Sequence, residues 1–543
     1  MSGWALLLVV SSLLYGFHLG QARALTEHEI VVAGIARQMV MEGDWLVPRI
    51  GDRVWLEKPP LPYWLAALCS VGLGGFTESS VRLPSVLSGV GVVLLVAGLA
   101  TRWFGAAIGL LAGLVQCTTV YMVTYSRLSE ENMPLALLVT GAISVFVRLQ
   151  GIGGEQLSER GTRWAAVLFW SLVGLTNLLK GLLFGAAMIL GPCAVWLVLR
   201  RDRVAWRRVF SPLGIVLAVG LVIVWPIAIL SREPAALDLL NAEIRRRLSG
   251  TFTWNPWWYY LTTPLWQLLP WTLFLFAGSA PSFVRAFRDR DAPDRFLLCW
   301  ALVPAIMLSL VPGKHHHYLI HCLPAVAPLI AIGLFRFARW ACRRAASSPR
   351  GARLGIAVVA ALFAVAPAIV GRSHDWHAEA WWLGILFAVG ILMAGAFVLA
   401  SRPSGSIAVL IATAVATTLF VHARVLPQRD PSREDRTFLS SVHRFLPPRA
   451  RLFATGGNEI ARHIFYVQAP LEAVGEPASI GPRIRDSKPV FVITRARSMP
   501  ALQCLGSVTR IAQSPRSRYE KNPEDRFTLF RLVPSRRHLA KAG

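Results

Sequence analysis

Long apolar runs recur along the first 420 residues, separated by short polar or arginine-bearing connections. They fall near 4–19, 84–101, 106–124, 134–149, 164–179, 182–199, 212–230, 263–284, 296–311, 319–338, 354–370, 380–400 and 405–423. A helix crosses the hydrocarbon core in about 20 residues, so the pattern predicts about thirteen spans. Only Lys180-Gly181 divides the runs 164–179 and 182–199. No basic residue precedes the run 4–19, which is expected to remain as the first span rather than a signal peptide. The segment 21–82 is polar and amphipathic. In it Ile30, Ile35, Ala36 and Met39 share one helical face, so its start is expected to lie flat in the membrane interface. After residue 423 the pattern changes: short β-type runs at 451–455, 490–494 and 527–532 alternate with Gly, Pro and Asn. The expected architecture is an all-α polytopic membrane domain over 1–423, followed by a small α/β domain over 424–543.

Composition sharpens this picture. The chain of 543 residues is 54% hydrophobic and only 16% charged, with mean hydropathy +0.50. Soluble domains carry about a quarter charged residues, so a soluble enzyme, a disordered chain and a fibrous protein are excluded. Lys and Arg number 56 against 30 Asp and Glu, a net +26. In a soluble protein that excess would suggest nucleic acid. Here the basic residues sit between apolar runs and in the tail, so no nucleic acid is expected, and anionic membrane lipid is. Arg200-Arg201-Asp202-Arg203, the stretch 285–295 and the stretch 339–353 fall on one side when spans alternate. That side reads as cytoplasmic. Segment 21–82, the loop 232–262, the Lys314 loop and the tail then face the periplasm of a bacterial inner membrane. The seven Cys form no C-x-x-C and imply no disulfide framework. No pair of related halves of the transporter kind is visible.

Candidate chemistry concentrates in loops on the expected periplasmic side. Thr26-Glu27-His28-Glu29 brings two carboxylates and an imidazole directly after the first span. Further on stands Glu57-Lys58-Pro59-Pro60-Leu61-Pro62-Tyr63-Trp64, where the prolines stop any helix before Leu61 and hold Glu57 and Lys58 on a rigid turn. Tyr63 and Trp64 suit the headgroup layer. Arg127-Leu128-Ser129-Glu130-Glu131-Asn132 opens another span, and Arg245-Arg246-Arg247 precedes an aromatic stretch. Gly313-Lys314-His315-His316-His317-Tyr318 follows later. Three consecutive His cannot all face one ion on a helix, so no metal site is assigned there. Cations grouped at a membrane surface more naturally hold a phosphate.

These motifs, in this order and together with Gly43-Asp44-Trp45 and Val81-Arg82-Leu83-Pro84-Ser85, resemble the bacterial protein mannosyltransferase-like superfamily. Within it the likeness is greatest to the aminoarabinose transferases that modify lipid A. The resemblance implies a GT-C fold and inverting transfer of a sugar from a polyprenyl (undecaprenyl) phosphate carrier. It puts Lys58, Lys314 and one or more of Arg82, Arg127 and Arg246 on the donor phosphate. Glu57, Tyr63, His317 and Tyr318 would orient the substrates. The family's first loop usually carries Asp-Glu, with the Asp as base, whereas this chain has His28-Glu29. The base therefore falls to Glu29, Glu27 or His28. The acceptor expected is lipid A or another glycolipid. Alternatives are a secreted protein hydroxyl, as in protein O-mannosyltransferases, a lipid-linked sugar transporter, or an inactive relative. No cofactor is called for, a divalent metal stays open, and the chain is expected to act as a monomer.

Overall fold

The computed structural model describes residues 2–181, 183–248, 255–289, 292–311, 313–372, 377–484, 486–520 and 522–535, with backbone alone at 246–248, 370, 372 and 377. The first helices are α1 (Gly3–Gly16), α2 (Glu27–Glu42), α3 (Leu61–Gly72), α4 (Glu78–Phe104), α5 (Ala106–Thr118), α6 (Val120–Ser126), α7 (Asn132–Gln150), α8 (Glu159–Lys180) and α9 (Phe184–Arg200). Later apolar helices include Pro212–Arg232, Thr272–Arg288, Pro293–Ser309, Leu323–Ser347, Pro349–Arg372, His377–Leu399 and Pro403–Phe420. Among the described residues each apolar run of the sequence is mostly helical. Among the described residues seven helices are long and apolar enough to cross a membrane, and up to nine if the bent pairs each count once. The chain is a multi-pass membrane protein. α1 and α9, with 14 and 17 residues, are apolar but shorter than an upright span at about 1.5 Å per residue. α5 and α6 make one apolar stretch bent by 64°.

The chain divides into two compact units. One comprises Met1–His18 and Ser85–Val425, the helical membrane part. Small residues let its helices touch backbone to backbone. A Cβ at Gly278 would collide with the Leu329 carbonyl oxygen, and one at Gly333 with the Phe274 carbonyl oxygen, the close-approach packing that replaces the hydrophobic drive inside lipid.

The other unit joins Leu19–Pro84 to Leu426–Gly543. Its five-stranded sheet runs β4-β3-β5-β7-β6, built from β3 (Leu452–Ala454), β4 (Glu472–Ala473), β5 (Val490–Arg495), β6 (Gly506–Gln513) and β7 (Phe527–Pro534). β3 pairs in parallel with β4 and β5, and β7 pairs antiparallel with β5 and β6. β3, β5 and β7 occupy the three runs expected from the sequence. The short hairpin of β1 (Arg49–Ile50) and β2 (Arg53–Val54) turns on Gly51, whose φ of +63° suits glycine. The Gln38 amide ties that turn to α2, donating to the Gly51 carbonyl at 2.7 Å and accepting from its N–H at 2.9 Å.

α2 departs from expectation. Its apolar face, Ile30, Ile35, Ala36 and Met39, is buried in protein rather than lying on lipid. The face joins one apolar cluster with Ile460, Ala461, Ile464 and Phe465 of the helix Ile460–Tyr466. Gly34 makes the crossing possible, because a Cβ there would meet Ala461 backbone atoms at 2.8 Å. A lipid-facing and a protein-facing stripe carry the same apolar periodicity, so the pattern could not separate them.

Candidate active site

In the second unit the start of α2 is closed by a capping box. Thr26 accepts from the Glu29 N–H at 3.4 Å, and the Glu29 carboxylate accepts from the Thr26 N–H at 3.0 Å. The same carboxylate takes Arg82 side-on: Nε donates to Oε1 at 2.7 Å and Nη2 to Oε2 at 3.1 Å. Arg82 also donates to the carbonyl oxygens of Leu19, Arg23 and Ala24. Burial pushes the Glu29 carboxyl up, but the Arg82 charge and its hydrogen bonds outweigh burial and hold it below its ordinary value. Glu29 is completely buried and Arg82 nearly so. A base must reach an incoming proton, and a phosphate ligand must have donors to offer. Glu29 and Arg82, expected as base and phosphate ligand, are paired to each other in a buried knot between the first span and α4. Glu27 and His28, on the same first turn, are exposed.

The turn 55–60 carries Glu57 and Lys58, both half-buried, and α3 starts at Leu61 after Pro59-Pro60 as expected. Tyr63 is not a headgroup residue. It is fully buried in the apolar cluster that also holds Ala66, Ala67 and Val81. Trp64, one residue on, is half-buried and donates to the Trp45 carbonyl at 2.7 Å.

In the first unit Arg127, expected on the donor phosphate, is engaged with the backbone of α1. Its guanidinium donates to the carbonyl oxygens of Leu14, Tyr15 and Phe17 at 2.6–3.0 Å, closing the C-terminal end of α1, where a cation is favoured. The Arg246 side chain lies outside the described residues.

The loop Gly313–Tyr318 is the aromatic centre of this unit. Lys314 is buried, and its carbonyl accepts from Asn255 at 2.9 Å. Tyr260 and Gln267 hold the backbone at His315 and His316, and the His316 ring bonds the Tyr121 hydroxyl. The His316 and His317 rings stand at 89° to each other, so neighbouring imidazoles aim apart. Among the described residues no three His, Cys, Asp or Glu side chains group as metal ligands. Burial lowers the His316 pKa.

Sequence reasoning missed Lys180, which had marked only a break between two runs. Its ammonium lies 3.0 Å from Asn132 Oδ1 and 3.9 Å from Glu131 Oε1. It stands 4.7 Å from the ring centroids of both Phe184 and Tyr318. The signal available was an ionisable residue inside an otherwise apolar stretch, which is costly unless used.

Residues 57–230 match the family described as dolichyl-phosphate-mannose-protein mannosyltransferase. The chain is 31% identical over 332 residues to the undecaprenyl phosphate-alpha-4-amino-4-deoxy-L-arabinose arabinosyl transferase of Pectobacterium carotovorum, covering 60% of this chain and 58% of that protein. It is 30% identical over 339 residues to the Serratia proteamaculans protein of the same name, with the same shares. The chain thus matches about 58% of the length of these curated relatives. Among solved structures it is similar to ArnT of Cupriavidus metallidurans bound to undecaprenyl phosphate, with TM-score 0.79 and 21% identity over 98% of this chain and 99% of that one. The apo form of that ArnT gives 0.75. The GT-C-type, ArnT-like fold read from the motifs is borne out.

Proposed function

We propose that the chain is an integral-membrane glycosyltransferase that moves a sugar from an undecaprenyl-phosphate carrier to lipid A or another glycolipid. The observation carrying this reading is the 31% identity to an arabinosyl transferase whose name specifies an undecaprenyl phosphate-linked sugar. The likeness of fold over 98% of the chain supports it. The proposed site faces the periplasm from the inner membrane, and the chain acts as a monomer.

The chemistry needs few groups. The acceptor oxygen attacks the anomeric carbon, the carbon–oxygen bond to the phosphate breaks, and undecaprenyl phosphate leaves with the electron pair. A cation must hold that phosphate, and a base must take the acceptor proton. Lys314, His317 and Tyr318 are the first unit's groups for the donor phosphate. Lys58, with Glu57 beside it, is the second unit's candidate cation. Glu27 or His28, exposed on α2, is the base.

Purified full-length protein in nanodiscs, given labelled undecaprenyl phosphate-linked aminoarabinose, tests the reading. Label should pass to lipid A. Transfer to peptide hydroxyls instead would favour the acceptor suggested by the family description of residues 57–230. No turnover of labelled carrier with any acceptor would sink the enzyme reading.

A further inference from the structure

The turn between α8 and α9 holds two residues at positive φ. α8 ends on Lys180, Gly181 follows at φ +67°, and Leu183 sits in the left-handed region at φ +56°. A bulky residue is rarely found there, and such outliers persist only where the surroundings enforce them. Asn177 helps, its Oδ1 accepting from the Leu183 N–H at 3.2 Å. The turn starts α9 at Phe184, whose ring lies against the Tyr318 ring at 5.0 Å.

A lysine at a helix C-terminus ordinarily reaches water while it offsets the helix dipole. Lys180 does not: it is only 7% exposed. Asn132 Oδ1 accepts from its ammonium at 3.0 Å, and Glu131 Oε1 lies 3.9 Å from it. The amide is itself oriented, because Asn132 Nδ2 donates to Glu130 at 2.8 Å. The ammonium stands between two aromatic rings, and one of them, Tyr318, closes the Lys314 loop. A desolvated cation is attracted to a ring face more strongly than an exposed one.

We infer that Lys180 is a positioning residue for the donor phosphate, clamping the Tyr318 ring against Phe184 and thereby fixing the end of the Gly313–Tyr318 loop. This rests on the proposed reading of Lys314 and Tyr318 as donor groups. The carrier itself is not touched by Lys180. Its charge acts through the ring.

Binding of labelled undecaprenyl phosphate to the full-length chain in nanodiscs tests the idea without requiring turnover. Failure of the wild-type chain to bind would overturn the donor reading and this inference with it. Given binding, Lys180→Met should weaken it about tenfold, the scale of a desolvated cation–ring contact. The same loss is expected when Tyr318→Phe supplies the background, since the ring remains. In a Tyr318→Leu background Lys180→Met should cost less than about twofold, because the clamp is already gone. A loss of equal size in every background would mean that Lys180 merely supports the fold, and no loss at all would remove it from the site. Should Lys180→Met not fold, phenylalanines of increasing fluorination at position 318 decide with Lys180 intact. Fluorine drains the ring face of negative charge, so binding should weaken stepwise along the series, and a flat series overturns the clamp.

Discussion

Two buried cations, one in each unit, stand beside carboxylates and are used in opposite ways. Arg82 presents its planar fork to both oxygens of Glu29 and directs its remaining donors to three backbone carbonyls. Nothing of it is left for a ligand. Lys180 meets an amide oxygen at 3.0 Å, a carboxylate oxygen at 3.9 Å and two ring faces at 4.7 Å. Arginine suits fixed, bidentate architecture, whereas lysine is a compact point charge that can act on its surroundings. The composition follows the same division. Only six of the 56 basic residues are lysines, and Lys58, Lys180 and Lys314 are the three that precede the tail. Arg127, like Arg82, binds carbonyls.

The comparison can be broken in several places. The largest effect should come from the base. If exposed Glu27 or His28 does this work, Glu27→Gln or His28→Ala should cut sugar transfer by about 100- to 10,000-fold while the melting temperature holds. Normal rates in both variants would send the base elsewhere. Next, Arg82→Met or Glu29→Gln should destabilise the protein by about 3–5 kcal/mol, because each leaves an uncompensated buried charge. That appears as a fall in melting temperature and yield, not as a selective loss of transfer. A well-folded but inactive Glu29→Gln protein would return Glu29 to the chemistry. Lys314→Ala and Lys58→Ala, measured separately, should slow transfer by about 10- to 150-fold without unfolding, the scale of about 1.5–3 kcal/mol for a charge-assisted hydrogen bond.

The smallest effect is acid sensitivity of the folded state. Burial, with Arg462 and Arg495 beside it, pushes the His463 imidazole down to about 3. Below about pH 6.5 the unfolded chain takes up a proton there that the folded chain refuses, so this term lowers stability by about 1.4 kcal/mol per pH unit. Glu29, held low in the fold, adds a loss in the same direction once pH falls below about 4.3. Melting temperature should therefore drop between pH 7 and 5, and His463→Gln should flatten that slope. An unchanged slope would mean that His463 takes no part in it.

Much of the architecture was legible in the chain. Apolar runs mark the helices because lipid and a helical core both demand them, and Pro59-Pro60 marks the start of α3. The capping box at Thr26 to Glu29 was legible too: a Thr followed three residues later by Glu, ahead of an apolar run, signals a helix start. Reading those residues for acid–base chemistry obscured that simpler meaning. Other features leave no local trace. Arg82 finds Glu29 across 53 positions, and nothing in either neighbourhood names the partner. Tyr63 looks the same in sequence whether its ring faces headgroups or a protein core.

Joining Leu19–Pro84 to Leu426–Gly543 in one unit also sets an order of events during synthesis. α2 leaves the ribosome about 400 residues before the helix that covers its apolar face. At about 5–20 residues per second, that face waits roughly 20 to 80 seconds for its cover. During that interval the apolar stripe of α2 lacks the cover that the helix Ile460–Tyr466 gives it in the folded chain. A ribosome that stalls inside the later spans leaves this stripe without its partner helix, so an unfinished chain differs from a completed one at α2.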